Sequence, residues 1–399
     1  MSARRVRATV VPALLTLLAC HDGGPLRVED PAPLPTGTTC EPTPSLPCVE
    51  RPAMALAMPS TTLDGAHPLV VAGHTGELFG IAPDGDNASA DALGFVRGDA
   101  FGDLDRLMPC DPDGDGVHGI ISSTTDALDP GYYVYGPLGA GDAFGKRTPD
   151  RRHQAARCVD IDDDGRDDLV GLVSQTELGI VYGQSWGLPD GIDTWVVPSI
   201  ATDPSDPEFL WQVVTSAAAD LDDNGTVEWI WAVRGRGFVR IWSLDTASAG
   251  VIELPAVEVD LAIDRIDLAD LDGDGTPDLV TTGVGQQDAG AIAVVLGDGA
   301  GGFGVTSSLL LGEPMRRMSS ADIDDDGDDE LIAVGGWAEG IVALDYADGD
   351  LEIIASFPAL ANDAVALRFD ANDSWDLAIL HADTWHVEIL RDAFAPARD

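Results

Sequence analysis

The chemistry of this chain is concentrated in short aspartate loops. In one of them Asp270, Asp272, Asp274 and Asp278 fall at positions 1, 3, 5 and 9. Odd positions on a tightly turned loop can all point inward. Gly275 at position 6 permits the positive φ that such a turn needs. The carbonyl of Thr276 at position 7 then faces the same centre. The result is an oxygen cage of the kind Ca²⁺ prefers, with six to eight ligands at about 2.3–2.6 Å. Two carboxylates about 4 Å apart repel by about 4 kcal/mol at an effective dielectric of 20. Four in one loop must protonate, splay open or gather round a cation.

Three further loops repeat the pattern. One carries Asp160, Asp162, Asp164, Gly165, Arg166 (through its carbonyl) and Asp168. The next carries Asp220, Asp222, Asn224, Gly225, Thr226 and Glu228. The last carries Asp322, Asp324, Asp326, Gly327, Asp328 and Glu330. These four loops predict four Ca²⁺ sites. A weaker copy has Asp111, Asp113 and Asp115 but Gly119 in place of the final acid, which leaves a fifth site open. In a degenerate copy from Arg368 the guanidinium stands in for the metal charge, so that loop is read as metal-free. An EF-hand would need an acid at position 12 and a helix after it. Position 12 is Gly171, Trp231, Thr281 and Ala333 in the four loops, and the residues that follow read as strand.

The loops are in phase with a longer repeat. Counting a degenerate first copy at Ser60, the units start at 60, 111, 160, 220, 270, 322 and 368. Within a unit an apolar strand leads into the loop, as at Ser216 to Asp220. A second leaves it, as at Trp229 to Val233. A third follows a glycine turn, as at Phe238 to Trp242, and a less regular fourth spans Val251 to Leu254. Four antiparallel strands in about fifty residues make one propeller blade. The predicted fold is all-β, a seven-bladed β-propeller of four-stranded antiparallel blades with calcium-binding hairpin loops, over residues 53–399. A fourth strand is not evident in the final unit, and the segment before residue 53 is expected to supply it.

At these residues the chain resembles the FG-GAP/VCBS repeat family, best known from the propellers of integrin α chains. Phe101-Gly102, Phe144-Gly145 and Phe303-Gly304 match the Phe-Gly element, although the Gly-Ala-Pro half is not found. The stretch from Val294 to Gly304 looks like the bacterial VCBS-type version. The resemblance covers about residues 53–390 and implies a seven-bladed fold.

The ends of the chain set its expected location. Arg4, Arg5 and Arg7 precede a short apolar run from Val10 to Ala19, too short to span a bilayer. Residues 1–19 therefore read as an export signal. Leu17-Leu18-Ala19-Cys20 resembles a bacterial lipobox, which makes Cys20 the expected lipidation site. Residues 20–52, rich in proline, read as a tether, and the expected product is an exported, membrane-anchored lipoprotein. Outside the cytoplasm the four remaining cysteines suggest disulfides. Cys40 and Cys48 bracket a Pro-rich loop, and Cys110 and Cys158 precede equivalent loops in successive units.

Charge narrows the partners. The formal net charge is -47, so phosphate backbones and anionic headgroups are repelled. Nucleic acid is excluded as a partner, and membrane contact is expected only through the lipid. Gly183-Gln-Ser185-Trp-Gly187 has the form of a hydrolase elbow but leads into a turn, not a helix. Arg97-Gly98-Asp99 is a three-residue match only. No two histidines have metal-ligand spacing. The nine tryptophans could form a sugar platform, but most lie in strands, where packing between blades uses them. The expected function is a non-catalytic, monomeric binding or adhesion module for a protein or glycan. A hydrolase or lyase using the channel, or a scaffold subunit of an envelope complex, are the alternatives.

Overall fold

The computed structural model describes the chain between residues 53 and 394, apart from 60–68, 74–76, 85–86, 96–103, 117–118, 125–131, 136–143, 148–153, 175, 185–192, 199–212, 234, 286–288, 336–339, 370–373 and 382–386. The expected signal, the Cys20 anchor, the tether and the Cys40–Cys48 pair lie outside the described residues. So do Arg97-Gly98-Asp99, Ser185 and the segment expected to complete the final sheet.

The described residues are all-β, with no helix among them. The first sheet holds β1 (Ala53–Pro59), β2 (Leu69–Gly73), β3 (Glu77–Asp84) and β4 (Asn87–Phe95). The second holds β5 (Leu104–Cys110), β6 (Gly119–Thr124), β7 (Tyr132–Tyr135) and β8 (Phe144–Arg147). The third holds β9 (Gln154–Val159), β10 (Asp168–Ser174), β11 (Glu177–Val181) and β12 (Asp193–Val196). The fourth holds β13 (Val213–Ala219), β14 (Glu228–Val233), β15 (Phe238–Asp245) and β16 (Gly250–Glu258). The fifth holds β17 (Ala262–Ala269), β18 (Asp278–Val284), β19 (Gly290–Gly297) and β20 (Phe303–Leu311). The sixth holds β21 (Met315–Ala321), β22 (Glu330–Gly335), β23 (Ile341–Ala347) and β24 (Asp350–Phe357). The last holds three strands, β25 (Ala361–Leu367), β26 (Asp376–His381) and β27 (Val387–Leu390).

Within each sheet the strands follow chain order and pair antiparallel. First strands of successive sheets lie side by side, from β1 against β5 through to β21 against β25, and β25 in turn meets β1. The outermost strands expose most. Every exposed large hydrophobic among the described residues sits on β12, β16, β20 or β24.

The core follows from the period of two along each strand. In β14, Trp229, Trp231 and Val233 join Val170, Leu172, Leu178, Ile180 and Trp195 of the preceding sheet. The alternate residues Ile230 and Ala232 join Ile263, Ile266, Leu279 and Ala293 of the following sheet. A strand covered on both faces needs apolar residues throughout, which explains the unbroken run Trp-Ile-Trp-Ala-Val. The same packing links the fifth sheet to the sixth, the sixth to the last, and the last to the first through Val365, Leu367, Leu380, Leu69 and Val71. Trp229, Trp231 and Trp242 have ring centroids 5.0–6.2 Å apart between the third and fourth sheets. These three tryptophans pack between sheets and form no exposed platform.

Candidate metal centre

Each aspartate loop is folded by its own first carboxylate. Asp270 Oδ1 accepts the N–H of Asp274 at 3.1 Å, and Oδ2 accepts that of Gly275 at 2.9 Å. Asp160 does the same with Asp164 and Gly165 at 3.2 and 2.8 Å. Asp220 does so with Asn224 and Gly225 at 3.1 and 2.7 Å. In the weaker loop Asp111 holds Asp115 and Gly116 at 3.2 and 2.8 Å, and Asp322 holds Asp326 at 3.1 Å. The glycine at position 6 has positive φ in all five loops, as expected. Position 4 also has positive φ. It is Asp163, Asp223 or Asp325 in three loops, and Gly114 or Gly273 in two. Asp and Gly are the residues that tolerate this conformation, a signal that position 6 alone does not carry.

The acid at position 9 opens the second strand of its sheet and is buried. Asp168 and Asp278 are each 1% exposed, Glu228 2% and Glu330 1%. One oxygen accepts the N–H of position 2: Ile161 to Asp168 at 3.0 Å, Leu221 to Glu228 at 3.0 Å, Leu271 to Asp278 at 2.8 Å and Ile323 to Glu330 at 2.6 Å. The side chains of Ile161, Leu221, Leu271 and Ile323 are themselves buried and pin the loop to the core. For Asp168 and Asp278 the other oxygen accepts the N–H of Gly183 at 2.7 Å or Gly297 at 2.8 Å. A Cβ on Gly183 would lie 2.5 Å from the Asp167 carbonyl oxygen, which is why glycine stands there. The first glycine of the hydrolase-like motif is thus a packing position. In the weaker loop position 2 is Pro112, which has no N–H to offer, and position 9 is Gly119, which has no acid to receive one. The two losses belong together.

Position 9 therefore anchors the loop as well as facing its centre. The degenerate last loop keeps the anchor: Phe369 N–H donates to Asp376 Oδ2 at 3.2 Å, and Asp392 N–H to Oδ1 at 2.8 Å. Arg368 reaches back to pair with Asp325 of the previous loop and lies 5.0 Å from the centre of the Trp375 ring.

Carboxylate oxygens converge in these loops. Asp324, Asp326, Asp328 and Glu330 bring ligand atoms within 4.8 Å of one another, as do Asp160, Asp162 and Asp168, then Asp220, Asp222 and Glu228, and also Asp111, Asp113 and Asp115. Asp164 stands outside its cluster, because the Arg166 guanidinium pairs with it. Asn224, Asp274 and Asp326 turn one oxygen to the N–H of position 7, donated by Thr226, Thr276 and Asp328 respectively. Crowding and burial oppose ionisation. Burial, with Asp324 and Asp328 nearby, pushes Glu330 up to about 8. Burial pushes Asp168 up to about 7 and Asp278 up to about 6. A hydrogen bond with Asp326, followed by burial, raises Asp328 to about 7.

A cation fits this donor set. Asp222 Oδ1 and Asp328 Oδ1 are buried and make no hydrogen bond. Buried carboxylate oxygens without a donor are costly unless a positive charge meets them. All-oxygen donors on one tightly turned loop suit a hard divalent ion. Asp160, Asp162, Asp168, Asp220, Asp222, Glu228, Asp324, Asp326, Asp328 and Glu330 are the residues that would hold it in three of the loops, and the loop from Asp270 makes the same turn and anchor hydrogen bonds through Asp270 and Asp278.

Cys110 and Cys158 form the expected disulfide, with Cα atoms 5.7 Å apart, joining the second and third sheets beside the loops. His381 pairs with Glu388 at 2.8 Å. A cavity of about 370 Å³ lies among β5, β9, β13 and β17, lined by Met108, Arg157, Ala217, Asp267 and Asp270 among others.

No curated protein matches the chain. Over residues 270–333, from the Asp270 loop through the Asp322 loop and into β22, the chain matches the family model of the FG-GAP-like repeat, which supports that repeat family.

Proposed function

We propose that the chain is a calcium-stabilised, seven-bladed β-propeller that works outside the cytoplasm by binding a protein or glycan, without catalysis. The observation that carries the calcium reading is the pair of buried, donorless carboxylate oxygens on Asp222 and Asp328, within loops whose turns are already formed. The seven sheets with their neighbouring first strands, including β25 against β1, support a closed ring of blades. FG-GAP-like repeats suggest an extracellular binding domain, and an export signal with Cys20 as lipid anchor is consistent with that setting.

Extracellular calcium modules often bind at about 0.1–1 mM. At about 1 mM free ion each site then adds roughly 0.4–1.4 kcal/mol by mass action. Four sites together act as structural pins. Thermal melting with calcium and with EGTA, beside ion counting by native mass spectrometry, tests this. Four bound ions and a clear fall in Tm on chelation are expected, and no bound ion with an unchanged Tm would overturn the reading. A glycan array with a pull-down on the full chain tests the binding role. The cavity among the first strands is the concave site proposed for that protein or glycan ligand. Its charged lining is Arg157, Asp267 and Asp270, and the Arg157 guanidinium is turned to the carbonyls of Ala156 and Ser216.

A further inference from the structure

The loops differ in how they meet their neighbours, and two pairs dock backbone to backbone. Asp329, at position 8 of the loop from Asp322, accepts the N–H of Asp270 through Oδ2 at 3.3 Å. Its own N–H donates to the Asp270 carbonyl at 2.7 Å. Asp167, at position 8 of the loop from Asp160, repeats this with Asp111 at 2.7 and 2.9 Å. In both pairs the first loop has glycine at position 4, where it abuts the second. A Cβ on Gly114 would lie 2.7 Å from the Gly165 carbonyl oxygen, and one on Gly273 3.4 Å from the Asp328 Cβ. Where the loops from Asp220, Asp270 and Arg368 meet the loop before them, position 8 is Val227, Pro277 and Trp375, and position 4 of that preceding loop is Asp163, Asp223 and Asp325.

We propose that the loops from Asp270 and Asp322 take up divalent cations as a coupled pair through Asp329. Asp167 links the loops from Asp111 and Asp160 in the same way, and the loop from Asp220 binds on its own. The proposal rests on the calcium reading above. Asp329 lies in sequence between Asp328 and Glu330, two members of the acid cluster of its own loop. A cation that draws those two together also fixes Asp329, and Asp329 holds the backbone of Asp270, the residue that shapes the neighbouring loop. Ordering one loop lowers the entropy lost when the other binds, and the coupling is reciprocal.

The test is a calcium titration of the full chain read by hydrogen exchange, which follows each loop separately through its own peptide. In the native protein the 270–278 and 322–330 loops should become protected together. Asp329→Ala should raise the calcium midpoint of 270–278 at least threefold and leave that of 220–228 in place. Asp329→Asn should restore it, because an amide oxygen still accepts the Asp270 N–H. The double variant Asp324→Ala/Asp326→Ala should shift 270–278 in the same direction. Protection of β18 and β19 checks folding, and if the double variant loses it, the Asp329 pair decides. An unmoved 270–278 midpoint in Asp329→Ala overturns the coupling while leaving calcium binding intact. Absence of calcium-dependent protection in every loop sinks the calcium reading, and the coupling with it.

Discussion

The two docked loop pairs close the same kind of junction by different means. Between the second and third sheets, the Asp111 loop lacks the final acid, has Pro112 at position 2, and is bridged to its neighbour by Cys110–Cys158. Between the fifth and sixth sheets, both loops carry their full acid sets, and the positions equivalent to the cysteines are Ala269 and Ser320. The backbone clamp by Asp167 or Asp329 is common to both. A covalent bond holds the junction whose loop is chemically poorer, and the other, with two full acid sets, has the Asp329 clamp without a disulfide.

The largest effect should come from the buried anchor that only the second pair has in both loops. Asp278→Ala leaves the N–H groups of Leu271 and Gly297 without their acceptor. Each costs about 1–3 kcal/mol, so calcium-free unfolding in urea should show a loss of about 2–6 kcal/mol. Next, replacing Cys110 and Cys158 with serine should cost about 2–4 kcal/mol. Hydrogen exchange should then rise at the loops from Asp111 and Asp160 and stay unchanged at those from Asp270 and Asp322. Uniform loosening of both pairs would erase the contrast.

Acidity sharpens the comparison further. Glu330 and Asp278 are raised by burial to about 8 and about 6 in the cation-free protein. Their folded values exceed the unfolded ones, so the fold holds protons that the unfolded chain releases. Cation-free stability should therefore fall as pH rises from the ordinary carboxylate range through about 6 and then about 8. Calcium favours the ionised form, so the gain in Tm from 1 mM calcium should be wider at pH 8 than at pH 5. A constant gain would contradict the assignment. The smallest effect compares two glycines of similar φ, +70° at Gly114 and +67° at Gly273. Both alanine variants carry the backbone strain of about 1 kcal/mol. Only Gly114→Ala also meets a backbone oxygen inside 3.0 Å, so it should cost about 1–2 kcal/mol more in chemical unfolding.

Much of this was legible in the residues alone. Spacing of the Asp clusters marked the hairpins, and the strands expected around Ser216, Trp229, Phe238 and Val251 coincide with β13 to β16. A Cys110–Cys158 bridge was suggested by the place of both before equivalent loops, while four cysteines left three pairings open until the structure paired these two. The role of Asp164 was not, because a guanidinium two residues away competes for it. Arg368 likewise pairs across a junction, with Asp325, a contact its own loop does not reveal.

Sequence by itself determined the repeated unit: the turn chemistry of Asp and Gly and the strand periodicity act within a few residues, so local order reveals them. Only the tertiary structure decided which loops touch. The clamps by Asp167 and Asp329 join residues 56 and 59 apart along the chain, and such contacts exist only once neighbouring sheets have packed. Position 8 looks like one more surface acid until the backbone it holds has been brought beside it.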